Sequence, residues 1–196
     1  GGRATSVKLI LAGTALSAIC AAVSNFFLYV INTSSGALEA VVRWTMGSLA
    51  AASWDTNLWM LAVAVLGALF FWTQYRTLNL MLLGDEAAVT LGTDLHRWRI
   101  VYLLAASLLV GFAVYTAGII GFVGLVIPHL VRSVVGPDHR KLVPLAALFG
   151  AIFLIWVDVG ARIIKPPAEI PVGILTAFLG APLFLWMIKV RRYEFQ

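Results

Sequence analysis

Long apolar runs alternate with short polar segments along the whole chain. Six of them approach the length of a membrane span and cover residues 9–31, 57–75, 100–117, 121–135, 142–157 and 172–188. Crossing a bilayer takes about 20 helical residues, with roughly 17 as the lower end. The fourth and fifth runs are short, and we expect charged residues at their ends to reach the interface. The pattern therefore predicts an all-α membrane protein, a polytopic bundle with six transmembrane helices.

Composition supports this class and excludes others. The chain is 61% hydrophobic and 12% charged, whereas soluble domains carry about 25% charged residues. The net charge of +5 comes from basic residues in short loops; no long basic face is formed, which argues against nucleic-acid binding. Cys20 is the only cysteine, so an internal disulfide and a cysteine-cluster metal site are excluded. We predict neither a metal site nor a cofactor.

The distribution of basic residues predicts the orientation in the membrane. With the N-terminus inside, 11 Lys and Arg residues fall at cytoplasmic ends and 3 fall outside, namely Arg43, Arg162 and Lys165. This is a strong positive-inside bias. Six spans then leave both termini in the cytoplasm. The connection between the first two spans contains a predicted short helix on the outer surface, residues 37–52.

The fourth run is rich in residues that disfavour a soluble helix. Gly118, Gly121, Gly124 and Pro128 lie in or beside it, and each costs a soluble helix roughly 1 to 3 kcal/mol. A membrane helix tolerates them, because neighbouring helices satisfy freed backbone groups and small residues permit close packing. We therefore predict that the segment from Gly118 forms a tightly packed, bent helix that ends at the charged turn of residues 136–141. His129 could be a ligand or a proton relay, but we favour a histidine that hydrogen-bonds a backbone carbonyl freed by Pro128.

The cytoplasmic connection of residues 76–99 is more than a turn. Asp85 and Glu86 suit the positive start of a helix, and Gly84 precedes them. Gly92 suits its C-terminal cap. A helix of about two turns is not stable alone in water, so we expect it to dock on the membrane domain or on a cytoplasmic partner. The plainer alternative is that both carboxylates are ordinary helix-start charges.

Catalytic chemistry is not visible in the sequence. The spans hold almost no ionisable residues, whereas an ion channel or a proton-coupled transporter places some there. This favours passage of a large solute, powered elsewhere. Asp158 and Arg162 are spaced i, i+4 at the outer end of the fifth span. Their spacing predicts a local ion pair worth a few tenths of a kcal/mol, and the alternative is a charge for docking a partner.

Several motifs in fixed order resemble those of one family. The segments GFVGLVIPHLVRSVVGPDHRKLVPLAALFGA and DVGARIIKPPAEIPVGILTAFLGAPLFLWMI carry the resemblance, with support from LNLMLLGDEAAVTLG, LILAGTALSA and RWTMGSLAAASW. They resemble the FecCD-type permeases, the membrane subunits of ATP-binding-cassette (ABC) importers for iron–siderophores, haem and vitamin B12. The resemblance runs from about residue 5 to residue 192.

The family resemblance implies a subunit of ten helices, of which this chain looks like the last six. Residues 1–196 would form one transmembrane permease domain, with 76–99 as its cytoplasmic coupling loop. The chain is then expected to be a fragment or to receive its other half separately, and it is not expected to transport alone. The first, fourth and sixth spans would line the pathway.

The resemblance also implies roles for individual residues. The short cytoplasmic helix would couple to the ATPase through Gly84, Asp85, Glu86, Ala88 and Gly92. Thr5 and Ser6 match positions of a cytoplasmic gate. Arg162 matches an outer arginine that pairs with a glutamate on the substrate-binding protein.

The function implied is that of a permease subunit in a bacterial or archaeal cytoplasmic (inner) membrane. It would not itself be an enzyme. Its partners would be ABC ATPase subunits, an extracytoplasmic substrate-binding protein, a second permease copy in a homodimer or pseudo-dimer, and the lipid bilayer. The expected substrate is a metal chelate, with an iron–siderophore first, then haem, then vitamin B12. One alternative is a membrane-embedded enzyme, but the sequence lacks the cluster of ionisable residues that such an enzyme needs. The other alternative is a truncated or non-transporting assembly subunit.

Overall fold

Helices make up all the regular secondary structure that the structure describes. The computed structural model describes residues 6–31, 35–83, 95–164, 166 and 169–191, and no strand occurs in these ranges. The helices found there are α1 (Ser6–Ile31), α2 (Ser35–Thr45), α3 (Trp54–Thr73), α4 (Tyr75–Leu82), α5 (Leu95–Ala117), α6 (Val123–Val135), α7 (His139–Ile163) and α8 (Val172–Arg191). The predicted all-α fold is confirmed, and each of the six apolar runs overlaps a helix.

The helices have the surface of a membrane protein. Four of them contain stretches long and apolar enough to cross a membrane, namely Ile10–Val30, Trp54–Thr73, Arg97–Ala117 and His139–Ile163. Val123–Val135 and Val172–Met187 are shorter apolar helices. α3 is apolar along its length, yet none of its residues is buried within the described part of the chain. Such a surface would be a liability in water and is well solvated by lipid.

Contacts divide the chain into two units, with the boundary between Arg43 and Trp44. The first unit contains α1 and most of α2, where Arg43 pairs with Glu39 at 2.8 Å. In the second unit α7 packs against α3, α4, α6 and α8, and α3 also packs against α4 and α5. Two small clusters of buried side chains lie in this unit, one between α6 and α7 (Ile127, Val131 and Leu142) and one between α7 and α8 (Val157, Ala161 and Val172).

The predicted continuous helix from Gly118 is wrong. α5 ends at Ala117, residues 118–122 are not helical, and α6 begins only at Val123. Gly118 has a φ of 72°, and its N–H donates to the carbonyl of Val114 at 2.9 Å. It is therefore a glycine that terminates α5 in the left-handed conformation. Pro128 does lie inside α6, as predicted.

Two other predicted boundaries also change. The outer helix predicted over residues 37–52 ends at Thr45, because Gly47 takes a φ of 72° and its N–H donates to the carbonyl of Trp44. The predicted loop 76–99 is helical at both ends, in α4 and in the first turns of α5. Its predicted coupling helix, with Gly84, Asp85, Glu86, Ala88 and Gly92, lies outside the described residues, as does Thr5.

Candidate functional site

The connections between helices interlock at one end of the second unit through three glycines. A Cβ added at Gly118 would overlap the backbone carbonyl of Trp44, one at Gly173 would overlap that of Met46, and one at Gly47 would lie 2.6 Å from the carbonyl oxygen of Ile119. We call Gly47, Gly118 and Gly173 the glycine junction. Each overlap involves backbone, which cannot rotate away as a flexible side chain can.

Backbone hydrogen bonds close the glycine junction. The Ser48 N–H donates to the carbonyl of Ala117 at 2.9 Å, and the Gly173 N–H donates to the carbonyl of Gly47 at 3.3 Å. The indole N–H of Trp44 reaches the carbonyl of Tyr115 at 3.5 Å. The start of α8, the end of α5 and the segment after α2 are thereby held within hydrogen-bonding distance of one another.

An open apolar pocket of about 620 Å³ lies beside this junction. Its walls come from the last residue of α2 and the segment after it, the α5–α6 connection and α8: Thr45, Met46, Ile119, Gly121, Phe122, Gly173, Ile174, Ala177, Phe178, Ala181 and Pro182. None of these side chains is ionisable. Phe122 has a φ of 65°, which is rare for a residue with a side chain, and a Cβ added at Gly180 of α8 would overlap it. The pocket therefore offers a solute an apolar surface without a charged side chain.

A charged cluster lies at the C-terminal end of α7, the end that the sequence predicts to be outside. Nε of Arg162 is 2.9 Å from Oδ2 of Asp158, and Nη1 is 3.1 Å from Oε1 of Glu169. The Arg162 side chain is 46% exposed, so solvent screens both pairs and they are weak. The predicted i, i+4 pair is thus present, and Glu169, which the sequence analysis missed, is its third member.

A polar cluster joins α3 and α4 to the start of α7 at the other end of the unit. Nδ2 of Asn79 donates to Oδ1 of Asp138 at 2.8 Å, and the indole N–H of Trp72 donates to the carbonyl of Arg140 at 3.1 Å. The hydrogen bond from Asn79, followed by that from the Arg140 N–H, lowers the pKa of Asp138 from its usual value. Asp138 is therefore an anion at neutral pH and caps the start of α7.

The comparison with known proteins decides the family. Residues 1–190 match the FecCD transport family. The chain belongs to this family. It is 43% identical over 197 residues to the hemin transport system permease protein HmuU of Yersinia pestis, covering 98% of this chain and 57% of HmuU. It is 41% identical over 187 residues to the vitamin B12 import system permease protein BtuC of Vibrio parahaemolyticus, covering 94% of this chain and 55% of BtuC.

A solved structure agrees with the FecCD assignment. It is described as an inward-facing conformation of a metal-chelate type ABC transporter, and the TM-score is 0.88 at 36% sequence identity. The match covers 94% of this chain and 59% of that one. The chain thus spans between half and three-fifths of the length of the FecCD relatives it matches. The predicted family and fold are confirmed.

The other residues predicted from the FecCD resemblance are placed as follows. Ser6 is the first residue of α1. A Cβ added at Gly121 or Gly124 would meet no atom within 4 Å in the described part of the chain, so the predicted close packing is seen at Gly118 alone. His129 does have an interaction partner, and no group of three or more metal-binding side chains occurs among the described residues.

The sequence analysis missed two structural residues of this FecCD chain. Asn79 was passed over, although an amide within the apolar run LNLMLL was a usable signal. Phe122 gave no signal, because an αL phenylalanine depends on contacts that the local sequence does not reveal.

Proposed function

We propose that this chain is the C-terminal part of the membrane-spanning permease subunit of an ABC importer. The observation that carries the proposal is the FecCD match over residues 1–190, supported by the overlap with an ABC transporter structure at a TM-score of 0.88. The complete permease would pair with a second copy, bind two ATPase subunits in the cytoplasm and receive substrate from an extracytoplasmic binding protein. ATP hydrolysis belongs to the partner subunits, and the permease itself catalyses no reaction.

The proposed membrane is a bacterial or archaeal inner membrane. The orientation proposed from the basic residues places the glycine junction and Arg162 on the outer side, and it places the polar cluster of Asn79 and Asp138 on the cytoplasmic side. On this orientation the apolar pocket, which shares Gly173 with the glycine junction, lies toward the outer side. ATP-driven closure of the ATPase dimer would move the residues after α4, and the membrane helices would tilt as rigid bodies to switch access. Thr5 and Ser6 remain proposed residues of a cytoplasmic gate.

The proposed substrate class is a bulky metal chelate. The pocket walls carry no ionisable side chain, which suits a large solute that must be released. HmuU and BtuC are named for hemin and vitamin B12, and they support the class. An iron–siderophore, which the sequence analysis placed first, remains one member of the panel to be tested.

The proposed function is tested by reconstitution. The full-length permease is assembled in liposomes with its ATPase subunits and binding protein, and uptake of an iron–siderophore, haem and vitamin B12 is measured with ATP or a non-hydrolysable analogue inside the vesicles. We expect ATP-dependent uptake of one of the three. Assembly without any ATP-dependent uptake would instead support the non-transporting assembly subunit.

We also propose that Arg162 contacts a carboxylate of the binding protein. Of its two partners, Glu169 is the more exposed, at 36% against 23% for Asp158, so an incoming glutamate would compete with Glu169 for Nη1. Arg162→Ala is expected to weaken binding of the binding protein about fivefold, since an exposed pair is worth up to about 1 kcal/mol. The loss should diminish as salt is raised.

A matched control is available for Arg162. Arg43→Ala removes another exposed arginine that pairs with a carboxylate four residues away. Binding is measured by surface plasmon resonance with the permease in nanodiscs. Equal losses in both variants would mean that the effect is general electrostatics and that Arg162 is not a docking residue.

A further inference from the structure

Asn79 of α4 contacts the first turn of α7 with both ends of its side-chain amide. Its Nδ2 donates to Oδ1 of Asp138 at 2.8 Å. Its Oδ1 accepts the backbone N–H of His139 at 2.9 Å, and Nδ1 of His139 lies 2.8 Å from the same oxygen. These contacts join segments about 60 residues apart in the sequence. Asn79 therefore bridges two separate elements and does not merely cap its own helix.

The chemistry at this position requires an amide. The His139 N–H needs an acceptor and the Asp138 carboxylate needs a donor, and one asparagine supplies both. Leucine of similar size supplies neither. Aspartate keeps the acceptor but places a second carboxylate against Asp138, where like charges repel. Hydrogen bonds to a charged group are also stronger than those between neutral groups.

Two further contacts hold the same turn of α7. The indole N–H of Trp72, near the end of α3, donates to the carbonyl of Arg140 at 3.1 Å. The Arg140 guanidinium lies 6.0 Å from the ring centre of Tyr75, the first residue of α4. α7 in turn packs against α3, α4, α6 and α8. A displacement of α4 that is passed to the start of α7 therefore reaches the helices that line both the pocket and the glycine junction.

We propose that Asn79 is a positioning residue for transport: it ties α4 to the first turn of α7, so that a displacement of α4 is transmitted to α7. The inference rests on the proposed function. It adds a specific transmission point within the membrane domain, separate from the predicted ATPase-coupling residues.

The experiment uses the full-length permease with its ATPase subunits and binding protein in liposomes. Basal ATP hydrolysis, hydrolysis stimulated by the substrate-loaded binding protein, and uptake per ATP are measured on equal amounts of assembled complex. The variants are Asn79→Leu, Asn79→Asp, Asp138→Asn and the double variant Asn79→Asp/Asp138→Asn. Asn57→Asp is the matched control, the same chemical change near the start of α3.

We expect Asn79→Leu and Asn79→Asp to lower uptake per ATP about tenfold, with basal hydrolysis within about twofold of wild type. Asp138→Asn should be mild, because Oδ1 accepts both the Asn79 bond and the Arg140 N–H and an amide oxygen can do the same. The double variant removes the like-charge pair and should recover about half of the lost coupling. Asn57→Asp should behave as wild type.

Three results would overturn the inference: unchanged uptake per ATP in Asn79→Leu, loss of assembly in both single Asn79 variants, or no recovery in the double variant. The second would assign Asn79 to folding alone. Failure of the proposed function has a different signature, since the wild-type complex would then show no ATP-dependent uptake at all.

Discussion

Gly118→Ala is expected to destabilise the fold by about 3 kcal/mol or more, and Gly173→Ala by about 1 to 3 kcal/mol. At Gly118 two costs combine. Its φ of 72° is disfavoured for a residue with a Cβ, and the added Cβ would overlap the backbone carbonyl of Trp44. At Gly173 only the second kind of cost applies, against the carbonyl of Met46. In both cases whole segments must shift to relieve the overlap.

Two other glycines separate the two costs. Gly136 has a φ of 83° but nothing within 4 Å of an added Cβ, and Gly111 has neither feature in the described part of the chain. Gly136→Ala should cost about 1 to 3 kcal/mol, because its φ of 83° and ψ of −175° lie in a region that is essentially restricted to glycine. Gly111→Ala should cost nothing and even favour its helix by up to about 1 kcal/mol.

The four alanine variants are compared by the midpoint of thermal unfolding of the purified full-length permease in one detergent. We expect Gly118→Ala to be the most destabilising and Gly111→Ala the least, with Gly173→Ala and Gly136→Ala between them. A Gly118→Ala variant as stable as Gly111→Ala would show that the glycine junction is not closely packed. A Gly136 loss equal to that of Gly118 would show that backbone conformation alone, without the overlap, sets the cost.

The combined change Glu86→Arg and Gly84→Trp is expected to abolish stimulation of ATP hydrolysis by the loaded binding protein while the permease still assembles as a dimer. The change reverses a charge and adds a large side chain in the segment proposed to seat in the ATPase. The size of the effect follows from the role: interactions that transmit motion between two sites carry typically 1 to 3 kcal/mol, or about 5- to 150-fold.

Glu39→Arg in α2 serves as the control for this charge reversal, because it breaks only an exposed pair with Arg43. Hydrolysis is measured with and without the loaded binding protein in the same liposomes. Stimulation that survives the double change intact would remove the coupling assignment from residues 84–92. Stimulation lost equally in Glu39→Arg would point to a general effect of charge.

The two sets of variants test different kinds of conclusion. The glycine variants test packing that only the structure shows, and the change at Gly84 and Glu86 tests a role that the family resemblance implies. The helices, their apolar character and the family follow from the sequence, because each depends on runs of neighbouring residues or on motifs in fixed order. The i, i+4 pair of Asp158 and Arg162 is equally local and is found where its spacing predicts it. Helix ends that are set by a single glycine are harder to predict from the sequence. The apolar run around Gly118 favours a helix interior, although a glycine directly after a long helix also suits its C-terminal cap.

The sequence by itself determined that this is an all-α membrane protein of the FecCD family, since hydrophobic periodicity and motif order are properties of the linear chain. Only the tertiary structure decided which residues hold the bundle together. Asn79 faces Asp138 across 59 residues and Trp44 reaches Tyr115 across 71. Such pairs form only after helices have packed, so nothing in the local pattern around Asn79 or Gly118 specifies its partner.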